Sequence, residues 1–304
     1  MFNRLERRVK VLHESSTSVS SFRIPQDLPI GVFDSGVGGL TVLKALQSHL
    51  PHESFTYFGD TAHVPYGNRS QAEIQALVRQ ILSWMAEQPI KMAIMACNTS
   101  SALALDTVRC EFSFPILGVI LPGARAAVQS GRRIGVIATP ATVASECYER
   151  AILEINPEVE VFQVACPEFV PLIEANQIFH PQTRQIVRHR LEPLVKAKVD
   201  TLIYGCTHYP HLAPVIQQIL PSRITKVDPA IHMAIAAAQE LDLLNLRSVQ
   251  GSPRTQFFVS GQPAQFAKSA RPCLGFTPQV EGVQLQGLAP LLRESDSVQT
   301  VLQR

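Results

Sequence analysis

The chain has 304 residues, 46% of them hydrophobic, with 27 basic and 25 acidic side chains. This composition is typical of a folded globular protein that is long enough for two domains. A formal net charge of +2 gives no electrostatic reason to expect nucleic acid or a membrane surface as a partner. No apolar run approaches the roughly 18 residues that a membrane-spanning helix needs.

Residues 1–27 open the chain with Arg, Glu and a Ser/Thr-rich run. They lack the apolar core of a secretory signal, so we predict a polar N-terminal extension. A transit peptide is an alternative, against which the acidic residues count.

From residue 28 onward, strand patterns alternate with helical ones. The predicted strands are 28–34, 55–58, 91–96, 116–120, 133–138, 159–165, 200–205, 224–228 and 256–260. The predicted helices are 40–50, one that begins at a Ser70–Glu73 capping box, 101–108, 122–130, one ending at Leu153, 167–175, 183–198, a run after Pro210, 229–243 and two short ones at the C-terminal end. The helix after the capping box has one predicted apolar face, formed by Ile74, Leu77, Val78, Ile81, Leu82 and Met85. This alternation predicts an α/β fold with parallel sheets and right-handed crossovers.

A weak internal repeat suggests two similar lobes. The segment 30–33 (Ile-Gly-Val-Phe) is similar to 134–137 (Ile-Gly-Val-Ile), and each precedes a strand that ends in a cysteine at a similar distance. Two such lobes facing each other bring both strand ends to one cleft. The carboxyl ends of parallel strands are where open α/β sheets bind ligands.

The two strand-end cysteines are Cys97, followed by Asn98 and Thr99, and Cys206, followed by Thr207 and His208. Polar neighbours and a following helix N-terminus predict a lowered thiol pKa. The other cysteines, at positions 110, 147, 166 and 273, lack polar companions, and we interpret them as packing residues. Scattered cysteines without Cys-x-x-Cys pairs favour neither disulfides nor zinc, and fit a reducing cytoplasm.

Two facing thiols suit one reaction in particular. Moving the α-proton of an amino acid to the opposite face needs a base on one side and an acid on the other. In the reverse reaction the two groups exchange these roles. Alternatives are a single-nucleophile thiol hydrolase and a non-catalytic ligand-binding module. A dinucleotide site at Gly36–Gly38 is disfavoured because Thr41 replaces the third glycine, and a metal site at His208 lacks further ligands at the usual spacing.

Four motifs together resemble the glutamate racemase family: residues 32–41, 57–67, 96–99 and 205–210. The resemblance implies cofactor-independent interconversion of L- and D-glutamate, with D-glutamate supplied for peptidoglycan, and a cytoplasmic homodimer. It implies two flavodoxin-like lobes related by a pseudo-twofold axis, with the active site in the cleft between them. The lobes would be 28–121 plus 229–304, and 122–228. Aspartate racemase is the alternative within the superfamily, disfavoured by His208, where that branch carries an acidic residue.

The resemblance also implies roles for individual residues. Cys97 would act on D-glutamate and Cys206 on L-glutamate, assisted by Asp34 and His208. The substrate contacts would be Asp34, Ser35, Tyr66, Gly67, Asn98, Thr99, Thr139, Thr142, Thr207 and His208. Asp60 and Glu174 match acidic residues that assist in some members of the family, and no metal is expected.

Overall fold

The computed structural model describes residues 25–250 and 252–285. Most of the predicted N-terminal extension and the tail beyond residue 285 lie outside these described residues. The strands are β1 (Ile30–Asp34), β2 (Phe55–Gly59), β3 (Met92–Met95), β4 (Ile116–Gly118), β5 (Arg133–Ala138), β6 (Glu160–Ala165), β7 (Thr201–Gly205), β8 (Thr225–Val227), β9 (Thr255–Val259) and β10 (Val280–Gly282).

The α-helices alternate with these strands, and 3-10 turns at Tyr66–Asn68 and Tyr209–Leu212 lie in two of the connections. They are α1 (Leu40–His49), α2 (Gln71–Ala86), α3 (Asn98–Val108), α4 (Ile120–Ser130), α5 (Pro140–Ala144), α6 (Cys147–Ile155), α7 (Phe169–Glu174), α8 (Pro181–Lys196), α9 (Ala213–Ile219), α10 (Pro229–Leu243) and α11 (Pro263–Leu274). None of the helices in the described part of the chain has both the length and the apolar character needed to cross a bilayer.

The strands form two parallel sheets. The first has the order β10-β9-β2-β1-β3-β4 and the second β6-β5-β7-β8. The predicted α/β fold with two parallel sheets is therefore confirmed. Helices cover both faces of each sheet, and the buried apolar side chains form a separate cluster on each face.

The strand register decides which loops lie side by side. In the first sheet Phe33 pairs with Met95, so the residues that follow β1 and β3 leave the sheet together. In the second sheet Ala138 pairs with Gly205, which does the same for the residues that follow β5 and β7. The strands that lead to the two cysteines, β3 and β7, thus end beside β1 and β5, which carry the internal repeat.

Helix α2 shows how local sequence specifies an element here. Ser70 accepts a hydrogen bond from the backbone of Glu73, whose side chain accepts one from the Ser70 backbone, as the predicted capping box requires. The predicted apolar face of this helix is buried throughout: Ile74, Leu77, Val78, Ile81, Leu82 and Met85.

Three predicted elements differ in the structure. Helix α3 begins at Asn98, earlier than predicted, because Cys97 is its extended N-cap. The helix predicted to end at Leu153 is divided into α5 and α6, because Glu146 adopts a left-handed backbone with φ of 55°. Of the two short C-terminal helices, α11 is present. The described residues after it form β10, a mostly exposed edge strand too short for a sequence pattern, and the tail beyond residue 285 lies outside the described residues.

A buried ion pair lies where the first sheet meets the segment that follows α10. Lys91 and Glu53 are both fully buried and paired with each other. Lys91 Nζ also donates to the carbonyl oxygen of Leu246 at 2.8 Å and to Ser248 Oγ at 3.1 Å. Such a pair is costly to break from one side, because the remaining charge stays buried.

Candidate active site

A cavity of about 60 Å³ lies at the carboxyl ends of the strands and is lined from both sheets. Its wall contains most of the residues predicted to act in catalysis or binding: Ser35, Tyr66, Gly67, Cys97, Asn98, Thr99, Thr139, Cys206, Thr207 and His208. Asp34 and Thr142 lie behind the lining, and the cavity wall in the described residues contains neither Lys nor Arg.

The two predicted cysteines face this one cavity from opposite sheets, and both are nearly buried, with exposures of 6% and 7%. Cys97 caps α3, and its carbonyl oxygen accepts from Ser101 N at 3.0 Å. The expected lowering of its pKa is wrong: burial first, and then the charge of Asp34, raise the pKa of Cys97 to about 12. This thiol therefore keeps its proton at neutral pH.

Asp34 connects the two lobes beneath the cavity. Its carboxylate is fully buried and accepts from Gly36 N at 2.9 Å and from Thr207 Oγ1 at 3.3 Å. Burial raises the pKa of this carboxyl group. The Gly36 amide is thus already engaged by the protein and is not free to hold a ligand carboxylate.

His208 stands between Cys206 and Glu174. Its Nδ1 lies 3.8 Å from Cys206 Sγ, and its Nε2 lies 3.4 Å from Glu174 Oε1. The second contact is at ion-pair distance but lacks the alignment of a hydrogen bond, so we treat it as electrostatic. Burial acts to lower the pKa of His208, but these two partners outweigh it and raise the pKa to about 10. His208 is therefore a cation at neutral pH.

Gly38 allows the second lobe to approach the first at this point. A Cβ atom on Gly38 would lie 2.4 Å from Thr207 Oγ1 and 2.5 Å from His208 Nδ1. Real Cβ atoms essentially never come so close to other heavy atoms. The glycine-rich turn after β1 thus provides space for the side chains beside Cys206, a reason for glycine here that differs from nucleotide binding.

Three hydroxyl groups join the lobes on another side of the cavity. Thr99 Oγ1 lies 3.0 Å from Thr139 Oγ1 and 3.3 Å from Thr142 Oγ1, and the last two are 2.9 Å apart. Thr99 comes from α3, whereas the other two come from the start of α5. Thr142 therefore supports the two lining hydroxyl groups from behind.

Asp60 also lies behind the wall. It is fully buried, accepts hydrogen bonds from Tyr66 Oη and, at 2.6 Å, from Ser260 Oγ, and its Oδ1 lies 2.8 Å from His63 Nδ1. This places Asp60 as a support for Tyr66 in the cavity wall. The side chain of His63 is only 21% exposed.

Several lining residues were not predicted as part of the site: Val64, Pro65, Asn68, Pro140, Cys166, Pro167, Val170 and Pro171. Cys166, which we interpreted as a packing residue, follows β6 directly and lines the cavity. The signal was available, because this cysteine also ends a predicted strand. The apolar residues carry no local signal, since their position depends on how the two lobes pack.

Comparisons with known proteins agree with this site. The profile of the Asp/Glu/Hydantoin racemase family matches residues 40–241. Glutamate racemase of Nostoc sp. strain PCC 7120 is 61% identical over 264 residues, which are 87% of this chain and 90% of that protein.

Solved structures agree as well. A crystal structure of glutamate racemase isoform RacE1 from Bacillus anthracis matches with a TM-score of 0.83 and 36% identity, over 86% of this chain and 100% of that one. The Francisella tularensis glutamate racemase in complex with D-glutamate matches with a TM-score of 0.81 and 35% identity, over 86% and 99% of the two chains. The chain therefore belongs to the Asp/Glu/Hydantoin racemase family and, within it, to the glutamate racemases, as its four motifs indicated.

Proposed function

We propose that this protein interconverts L- and D-glutamate by moving the α-proton between the thiols of Cys97 and Cys206. The observation that carries the proposal is that both thiols line one cavity from opposite sheets. One sulfur, as thiolate, takes the α-proton from one face of the substrate. The other, as thiol, donates its proton to the opposite face of the resulting carbanion. The two sulfurs end with their protonation states exchanged.

The surroundings of the two thiols support an assignment of their starting roles. Cys97 holds its proton firmly, since burial and Asp34 both disfavour its thiolate. The His208 cation beside Cys206 provides an electrostatic partner for a thiolate formed there, and Glu174 supports that cation. In this state the enzyme is ready for the enantiomer from which Cys206 removes the proton, which the resemblance gives as L-glutamate.

We further propose that neutral donors hold the substrate carboxylates. The polar part of the wall presents hydroxyl groups from Ser35, Thr99, Thr139 and Thr207 and the amide of Asn98. Donors around the α-carboxylate stabilise the negative charge that builds up on it as the proton leaves. We assign Thr142, Asp60 and Asp34 supporting positions, with Asp34 assisting Cys97.

Single substitutions of the two cysteines test the mechanism. We expect Cys97→Ser and Cys206→Ser each to lose racemisation by at least about a thousandfold, because one half of the proton relay is gone. Each variant should still remove the proton on its intact side, which elimination of chloride from a β-chloro glutamate analogue reports. Cys110→Ser, at an exposed cysteine, is the control. Full racemase activity in both single variants would overturn the two-thiol mechanism.

Deuterium incorporation at Cα of L-glutamate and of D-glutamate, in D2O and without added cofactor, tests the reaction class. Incorporation into both enantiomers is expected, and a parallel measurement with L-aspartate tests substrate choice. Binding of glutamate without exchange would contradict racemisation and favour a binding module.

Other expectations remain predictions. We propose lobes of residues 28–121 plus 229–304 and of 122–228, with 1–27 as an extension; the strand membership of the two sheets supports this division. We also propose supply of D-glutamate for peptidoglycan in the cytoplasm, tested by D-glutamate auxotrophy of a deletion strain. The expected homodimer is tested by light scattering of the purified protein.

A further inference from the structure

Tyr148 is a buried residue that none of the motifs includes. It lies on α6 of the second lobe, has no exposed surface, and donates from Oη to Asn98 Oδ1 at 2.6 Å. Asn98 is the first residue of α3, directly after Cys97, and forms part of the cavity wall. The hydrogen bond therefore runs from the second lobe to a binding residue of the first.

This bond determines which end of the Asn98 amide is occupied by the protein. An amide offers a carbonyl oxygen and an NH2 group of nearly the same shape, so its orientation follows from its partners. The phenol proton of Tyr148 has no other acceptor among the described residues. Reversing the amide would leave that buried proton without an acceptor, which disfavours the reversed orientation. The NH2 group of Asn98, which has no acceptor in residues 25–250 and 252–285, is thus the end left for a ligand.

Gly205 leaves room for the ring of Tyr148, and Gly123 lies at ordinary contact distance from it. A Cβ atom on Gly205 would lie 3.2 Å from Tyr148 Cε2, and one on Gly123 would lie 3.5 Å from Cε1. Gly205 immediately precedes Cys206, so the ring packs against the strand that carries the second thiol. The phenol is therefore held by both the cysteine strand and α4, which limits the directions its hydroxyl group can take.

We propose that Tyr148 is a positioning residue that presents the Asn98 NH2 group as a donor to a substrate carboxylate. This inference rests on the proposed function insofar as the ligand is glutamate. It assigns Tyr148 no contact with substrate and no part in proton transfer. Its effect on the reaction passes through Asn98 alone.

Tyr148→Phe tests the proposal, because it removes the hydroxyl group and keeps the ring. We expect KM for each enantiomer to rise about tenfold, since a hydrogen bond to a charged group is lost or misdirected, with kcat changed less than about threefold. Because the two enantiomers are equally stable, kcat/KM must fall by the same factor in both directions. Tyr204→Phe is the matched control: it removes a phenol that has no hydrogen-bond partner in the described residues, from the same strand that leads to Cys206, and should leave KM unchanged.

A double-mutant cycle separates positioning from simple packing. Asn98→Ala alone should raise KM at least as much as Tyr148→Phe, and adding Tyr148→Phe to Asn98→Ala should change KM less than about twofold. An undiminished effect of Tyr148→Phe in the Asn98→Ala background would overturn the proposal. So would an unchanged KM in Asn98→Ala, a result that does not depend on whether Tyr148→Phe folds.

Calorimetric titration with D-glutamate keeps this inference distinct from the proposed function. If the wild-type protein binds D-glutamate but does not racemise it, the proposed function fails and the same cycle is completed with dissociation constants. The expected pattern is again a weakening in each single variant without further weakening in the double variant. If the effects of the two substitutions on the dissociation constant are additive, the positioning role of Tyr148 is overturned, whatever the outcome for the proposed function.

Discussion

Gly38→Ala is expected to separate the two lobes beside Cys206 and to lower racemase activity strongly. The added methyl group would lie 2.4 Å from Thr207 Oγ1 and 2.5 Å from His208 Nδ1, whereas ordinary contacts begin near 3.4 Å. One side of the interface must therefore retreat by about 1 Å, a displacement that can cost about a hundredfold in rate when catalytic groups move. Inserting a methyl group into a packed site also costs about 1–3 kcal/mol of stability.

The assay is racemisation in both directions, followed by circular dichroism of the glutamate enantiomer, together with urea unfolding. We expect kcat/KM to fall about a hundredfold for Gly38→Ala in a protein that remains folded. Gly36→Ala is the control from the same turn, because its Cβ atom would meet only Val64 Cγ2, at 3.4 Å. We expect Gly36→Ala to stay within about threefold of the wild type, since that contact is an ordinary one. Equal activity of the two variants would refute the argument that Gly38 sets the distance between the lobes.

Two further predictions concern charge. The pKa of His208 is raised from 6.5 to about 10, so the stability that this group contributes is complete below about pH 6.5 and is lost as the pH rises through 10. Glu174→Gln removes a nearby anion and should therefore move the alkaline fall of kcat to lower pH. An alkaline fall at the same pH as in the wild type would count against the contact between Glu174 and His208. Lys91→Met leaves Glu53 charged and buried and should lower the free energy of unfolding in urea by about 3–5 kcal/mol. Arg79→Met, at an exposed ion pair, should lower it by less than about 1 kcal/mol. Similar losses in the two variants would contradict the distinction between the buried and the exposed pair.

Local patterns were sufficient where a feature depends on neighbours along the chain. The capping box of α2 and its buried apolar face were both predicted, because a helix N-terminus and a helical stripe are set by residues three and four apart. The sheets followed from alternation of strands and helices. The split into α5 and α6 was missed, because a single left-handed residue, Glu146, leaves no periodic signal.

At the site, the motifs identified most of the polar lining residues, though not Asn68 or Thr139, and they did not give their arrangement. Thr142 was expected to contact the substrate and Asp60 to assist as an acid, and the structure places them one layer behind Thr99 and Tyr66. Cys166 was judged by its sequence neighbours, which are apolar, although its strand ends at the same cavity. A motif does not show whether a residue lines the cavity or lies behind its wall, because that depends on how two distant segments pack together.

The order of residues along the chain was enough to determine that strands alternate with helices, that two cysteines end matching strands and that each is followed by polar groups, because these are short-range properties. Only the tertiary structure decided that both thiols share one cavity, that Gly38 makes room for His208 and that Tyr148 reaches Asn98. It also reversed the expected pKa of Cys97, since burial depends on atoms brought together from the whole chain. The physical reason is that the packing of one lobe on the other joins residues from 50 to 173 positions apart, and no local pattern specifies that geometry.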